Sequence, residues 1–118
     1  LGSDFVKEGK VSGEWLVNEM KSATADVNIV ELQGTTGSAP ANDRKKGFAD
    51  VIASNPKLKV VASQTGEFTR AKGKEVMEAF LKSQSKIDVL YAHNDDMALG
   101  AIEAIQGAGK KPGTTGTG

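Results

Sequence analysis

The sequence predicts an α/β fold, a three-layer sandwich with a parallel sheet and helices on both of its faces. Two observations carry that prediction. Three short apolar runs rich in β-branched residues, at 27–32, 58–62 and 87–92, each end in a polar or glycine-containing turn, as buried strands do. Their last residues, Leu32, Ala62 and Ala92, fall thirty positions apart each time, the spacing of a strand, a turn and a crossover helix repeated. Between the runs the pattern switches to helical spacing. Strands that alternate with helices pair in parallel through right-handed crossovers.

Taken in order, Asp4 is placed to cap a first helix whose inner side would use Val11, Trp15, Leu16 and Met20, with Gly9 and Gly13 permitting close approach to the sheet. After the first run, residues 42–54 carry Phe48, Val51 and Ile52 on a short stripe stopped by Asn55-Pro56. After the second, residues 69–83 form the clearest amphipathic helix. Gly73, Val76, Met77, Phe80 and Leu81 share one face, and Lys72, Lys74, Glu75, Glu78 and Lys82 occupy the others. After the third, residues 95–108 carry Ala98, Ala101, Ile102 and Ile105 before Gly107 and Gly109 end the helix. The order is one helix followed by three strand-helix units. Beyond Gly109 no apolar residue stands where a fourth strand would follow, and a Gly/Thr tail closes the sequence at 114–118.

The totals narrow the function. At 118 residues the chain is the length of one domain. Fifteen basic and fifteen acidic residues cancel, so no net field draws it to nucleic acid or an anionic membrane, and no nucleic-acid partner is expected. The absence of cysteine removes a disulfide framework, a thiol nucleophile and a Cys-type zinc site. The apolar runs are too short for a membrane span. Leu1-Gly2-Ser3-Asp4 lacks the basic stretch and apolar run of a signal peptide, so none is expected in this sequence.

If the three runs are parallel strands, their carboxyl ends bring three turns to one edge, where ligands of open α/β sheets bind. The turns are residues 33–38, 63–68 and 93–96. The first is glycine-rich and precedes a helix, but it lacks the spacing of either common nucleotide loop, so a phosphate cradle is a weak reading. Asp95-Asp96 invites comparison with magnesium-dependent phosphoacceptor domains. Those need another aspartate and a lysine on the same edge, whereas the other strand ends here offer Gln33 and Ser63-Gln64. One of the two acids capping the next helix is the plainer reading. His93, the single histidine, has no partner at nucleophile or metal spacing, so neither a metal nor a cofactor is expected, and a hydrogen-bonded or solvated imidazole is the default.

Three other residues suit a neutral polyhydroxylated ligand. The Asn94 amide both donates and accepts. Arg44, placed in the first turn of the helix after the glycine-rich loop, can give forked hydrogen bonds to adjacent hydroxyls. The Phe68 ring can pack on the C–H side of a sugar. Each also has a plain alternative: an ion pair of Arg44 with Asp43 or Asp50, a turn role for Asn94, and a plug beneath a loop for Phe68.

Gly34-Thr35-Thr36-Gly37 with Asp43-Arg44-Lys45-Lys46-Gly47-Phe48, Gly66-Glu67-Phe68-Thr69-Arg70-Ala71-Lys72-Gly73, and Tyr91-Ala92-His93-Asn94-Asp95-Asp96-Met97-Ala98-Leu99-Gly100-Ala101 resemble the sugar-binding proteins of bacterial ABC importers. These are type I periplasmic binding proteins, and the galactofuranose- and ribose-binding members look nearest. The resemblance covers nearly the whole chain up to Pro112-Gly113. It implies a Rossmann-like lobe, residues 1–113, as the second of two lobes that close on a sugar, with the first lobe and a following strand bearing an Asp-Gly turn absent here. It further implies that Arg44 bonds sugar hydroxyls, Phe68 stacks on the ring and Asn94 supplies the amide of an Asn-Asp-x-Met-Ala motif. Asp4 matches a position close to the interlobe cleft.

The function expected on these grounds is non-enzymatic recognition of a pentose or hexose, in furanose form where the nearest relatives are followed. A membrane permease would be the partner and the periplasm the location. The alternative is the effector-binding half of a sugar-responsive transcription regulator of the lac-repressor type, which shares the fold. A third reading is the phosphoacceptor domain or small enzyme suggested by Asp95 and Asp96. Self-association through exposed sheet edges is also expected, because a thin sheet leaves them uncovered.

Overall fold

The structure, a computed structural model, describes residues 4–110; the tail expected at 114–118 and the domain boundary at 113 lie outside them. Seven elements follow one another as α1 (Phe5–Glu19), β1 (Val27–Gln33), α2 (Ala39–Ile52), β2 (Leu58–Thr65), α3 (Arg70–Ser83), β3 (Val89–Ala92) and α4 (Asp95–Gly107). The strands form one parallel sheet in the order β2-β1-β3, with Val27 opposite Leu58, Gln33 opposite Thr65 and Leu32 opposite Ala92. On one face Leu16 of α1 and Phe48 and Ile52 of α2 cover Val27, Ile29 and Tyr91. On the other, Met77 and Phe80 of α3 and Met97, Ala101 and Ala104 of α4 cover Val30, Leu32 and Ala92. The expected order and the helices on both faces are found.

Each helix starts on a side chain that accepts a backbone N–H three residues on: Asp4 from Lys7, Ser38 from Ala41, Thr69 from Lys72 and Asn94 from Met97. These caps move one expected boundary and change one expected cap. Ser38, with Pro40 in the first turn where its missing N–H costs nothing, starts α2 at Ala39 instead of residue 42, so Arg44 lies in the second turn. Asn94 caps α4; Asp95 and Asp96 sit in its first turn as favourable charges at the positive dipole end. In the sheet, β2 runs three residues past Ala62, because Ser63-Gln64-Thr65 pair with Glu31-Leu32-Gln33. β3 begins at Val89 instead of 87, since the Asp88 carboxylate turns aside to accept from the Asn28 N–H at 2.8 Å.

The inner side of α1 differs most from the expected one. Val11 and Trp15 are 53% and 38% exposed, while Gly9, Gly13 and Leu16 are buried. The glycines face α2, not the sheet: a Cβ on Gly9 would stand 2.1 Å from the Arg44 carbonyl oxygen, and one on Gly47 2.1 Å from that of Val6. Helix backbones meet here without side chains between them, which turns Val11 and Trp15 to the flank. There, with Phe48, Val89, Leu90 and Tyr91, they line a groove of about 140 Å³. On the other face a Cβ on Gly100 would stand 2.0 Å from the Arg70 carbonyl oxygen, so α3 and α4 meet in the same way. The buried side of α4 is Met97, Gly100, Ala101 and Ala104: Ala101 is buried as expected, while the expected Ala98, Ile102 and Ile105 are half-buried, each one position past a buried residue.

Candidate functional site at the carboxyl ends of the strands

Three turns meet where β1, β2 and β3 end. The turn after β2 is strained: Glu67 and Phe68 adopt φ of 53° and 63°, the left-handed region that costs a non-glycine residue free energy. The Thr69 N–H closes it on the Gly66 carbonyl at 3.0 Å, and two side chains hold the strained residues themselves. Thr65 Oγ1 accepts from the Glu67 N–H at 3.1 Å, and Asn94 Nδ2 donates to the Phe68 carbonyl at 3.0 Å. The Asn94 amide is therefore bifunctional within the fold, its oxygen capping α4 and its nitrogen fastening the preceding strand's turn.

Arg44 reaches the same place from α2. Its guanidinium lies 5.0 Å from the centroid of the Phe5 ring and 5.8 Å from that of Phe68, a cation between two aromatic faces. Its Nε donates to Glu8 Oε2 at 3.3 Å with Nη2 3.2 Å from the same oxygen, and its side chain is only 14% exposed. The ion-pair partner is Glu8 of α1, not Asp43 or Asp50; Asp50 pairs with Lys46 instead. Arg44, Phe68 and Asn94 are thus contiguous. Asp4 stands apart in role: it is exposed and its carboxylate caps α1, one residue before Phe5.

Below this surface is a polar group that sequence spacing did not connect. His93 and Glu31 are 0% and 2% exposed, with Nε2 and Oε2 2.9 Å apart. The Gly34 N–H donates to His93 Nδ1 at 3.1 Å, so the first amide of the glycine-rich turn is occupied and does not face an anion. Glu31 Oε1 accepts from Ser63 Oγ at 2.9 Å, and Ser63 Oγ accepts from Gln33 Nε2 at 2.6 Å. A charged residue flanked by Val30 and Leu32 in a strand buried on both faces was the available signal that Glu31 has a partner. Beside it, Tyr91 stacks on Phe48 with ring centroids 4.0 Å apart. Burial and, next, the charge of Glu31 push its phenol above the ordinary range, while Arg44 opposes them.

Among the described residues no group of three or more His, Asp and Glu is placed to hold a metal ion. A larger hollow of about 590 Å³ lies along the outer edge of β2 against α3 and includes neither Arg44, Phe68 nor Asn94. The chemistry available at the strand ends is hydrogen bonding around an aromatic face, presented on rigid backbone.

A family model described as a periplasmic binding protein domain matches residues 1–118, and the chain belongs to that family. It is 54% identical over 114 residues to the galactofuranose-binding protein YtfQ of Escherichia coli K12, an alignment covering 94% of this chain and 35% of that protein. A crystal structure from Mycobacterium smegmatis in complex with β-D-fucofuranose is 64% identical, with a TM-score of 0.94 over 96% of this chain and 37% of that one. The periplasmic component of the arabinose ABC transporter of Shewanella sp. ANA-3, bound to α- and β-L-arabinofuranose, is 54% identical, with a TM-score of 0.88 over 93% of this chain and 36% of that one. The chain spans about a third of the length of these relatives.

Proposed function

We propose that this chain is a sugar-recognition lobe of a periplasmic solute-binding protein that serves an ABC importer and performs no catalysis. Residues 1–113 act as the lobe, with 114–118 as a tail. The observation that carries the reading is the meeting of Arg44, Phe68 and Asn94 at the carboxyl ends of a parallel sheet. An aromatic face flanked by a guanidinium and an amide suits a ring with an apolar side and hydroxyls on its rim. Asp4, at the start of α1, borders that cleft. The relatives' names point to furanose forms of pentoses and hexoses, and their family to the periplasm and a membrane permease as partner. A lone lobe leaves its ligand open to solvent on one side, so weak binding is expected.

Amide and side-chain NMR spectra of this chain, recorded with L-arabinose, D-galactose and D-ribose at millimolar levels, test the reading. Shifts gathered at Arg44, Phe68 and Asn94, and absent from Arg44→Ala and Asn94→Ala, are expected. Shifts gathered elsewhere, or equal in the variants, sink the assignment.

A further inference from the structure

We infer that Glu31 and His93 are positioning residues for the sugar-facing ring of Phe68, acting through the backbone of Gly34. The inference rests on the sugar-binding reading of Phe68 and adds how that ring is held. The Gly34 N–H points at His93 Nδ1, so that nitrogen carries a lone pair; the hydrogen of the neutral imidazole is then on Nε2 and is donated to Glu31 Oε2. Glu31 offers acceptors on both sides, to His93 and to Ser63, and thereby selects the one tautomer that can hold Gly34.

Gly34 is fastened at both polar atoms, its carbonyl accepting from Thr65 Oγ1 at 2.7 Å. The Phe68 ring rests directly on it. A Cβ at Gly34 would lie 1.9 Å from Cζ of that ring and 2.1 Å from Cε1, so the bare glycine backbone is the floor beneath the aromatic. Asn94, next in sequence to His93, holds the Phe68 carbonyl from the other side. Stability alone does not call for such a group, since a buried carboxylate must be repaid by hydrogen bonds that apolar residues of like volume do not need. At the same level on the opposite face the sheet uses Leu32 and Ala92.

Two substitutions separate positioning from mere support. His93→Asn keeps an acceptor for Gly34 where Nδ1 stood but does not reach Glu31; His93→Gln reaches Glu31 and offers Gly34 no acceptor. The Asn variant leaves a buried carboxylate without its imidazole and is the less stable of the two, so a structural role predicts that it binds worse. Positioning predicts the reverse order: affinity for L-arabinose about tenfold weaker in His93→Gln and within about threefold of the parent in His93→Asn, the scale of one lost hydrogen bond.

The parent chain labelled with nitrogen-15 should show the Nε2–H tautomer and a scalar coupling between Gly34 N and His93 Nδ1. The Phe68 ring resonances should move in His93→Gln and stay in place in His93→Asn. An Nδ1–H tautomer, an unmoved Phe68 ring in His93→Gln, or affinities that follow stability overturn the inference. If the parent shows no sugar-induced shift, it is the sugar reading that fails, while tautomer and ring shifts still decide the positioning. Should His93→Gln not fold, the tautomer and the Gly34–His93 coupling of the parent, together with an unmoved Phe68 ring in His93→Asn, still decide the inference, and the absence of either overturns it.

Discussion

The two faces of this sheet are built to different ends. Against α3 and α4 the buried interface is an apolar cluster, with Val30, Leu32 and Ala92 beside Met77, Phe80 and Met97. Against α1 and α2 it begins as Val27 and Ile29 but turns polar toward the carboxyl ends, where Glu31, Tyr91 and His93 follow. Both faces use backbone contact at glycine to join their helix pairs. The contrast teaches that buried charge here is placed by position along the strands: Glu31 and His93 lie where the turns need holding.

The largest expected effect tests the apolar face. Phe80→Ala should cost about 3–5 kcal/mol in a denaturant titration, because it removes a buried ring from the apolar cluster on this face. A much smaller loss would mean that this face is not the stability-bearing one. Next come the glycine contacts. Gly47→Ala and Gly100→Ala should each cost about 1–3 kcal/mol, since the added methyl meets a carbonyl oxygen that cannot step aside. Unequal losses would show that the two helix pairs differ in how freely they separate. Asn94→Ala should cost about 1 kcal/mol as a lost cap, and more as Phe68 is released. Asn94→Asp keeps the cap and loses the donor, so it should retain most of the stability while the Phe68 resonances move.

Two titrations sharpen the contrast further. Tyr91 is the single tyrosine, so phenolate absorbance reports it alone. Its folded value is raised by burial and then by Glu31, so the unfolded chain ionises first. Stability should be fully present below the ordinary value of 10.0 and decline as pH rises above it, with the absorbance change appearing only on unfolding. On the solvent side of α3 and α4, the hydrogen bond from Arg70 holds Glu103 below its ordinary value of 4.5. That contribution is present above the ordinary value and lost as pH falls through the lower folded one. Glu103→Gln should flatten the acid limb of the thermal midpoint only slightly, and less still in high salt, because both groups are exposed.

What the sequence disclosed follows from what local pattern encodes. The α3 stripe of Gly73, Met77 and Phe80 was legible because it repeats over about two turns in the middle of the helix. The inner side of α1 was not, because Gly9 and Gly13 carry no hydrophobic signal, although together with Leu16 they are the real stripe. Ser63-Gln64-Thr65 reads as a turn by composition and is a strand by its pairing with β1, a backbone property. At the site, Arg44, Phe68 and Asn94 were legible as residue types suited to a sugar and through a family resemblance. Their supports were not: Glu8 lies 36 positions from Arg44 and Glu31 62 from His93, distances at which only the fold sets partners. Phe5, the second ring beside the guanidinium, was hidden within a helix start read only for its cap.

The paired left-handed residues Glu67 and Phe68 bear on the thermodynamics of any encounter. Each such residue costs about 1–3 kcal/mol, a sum met when the chain folds. The ring is therefore already oriented before a ligand arrives, and little rotational freedom of Phe68 remains to be lost on contact. A turn relaxed by glycine at residue 67 would favour the folded chain and at the same time loosen the ring, so that association would carry an entropic penalty that the strained turn avoids.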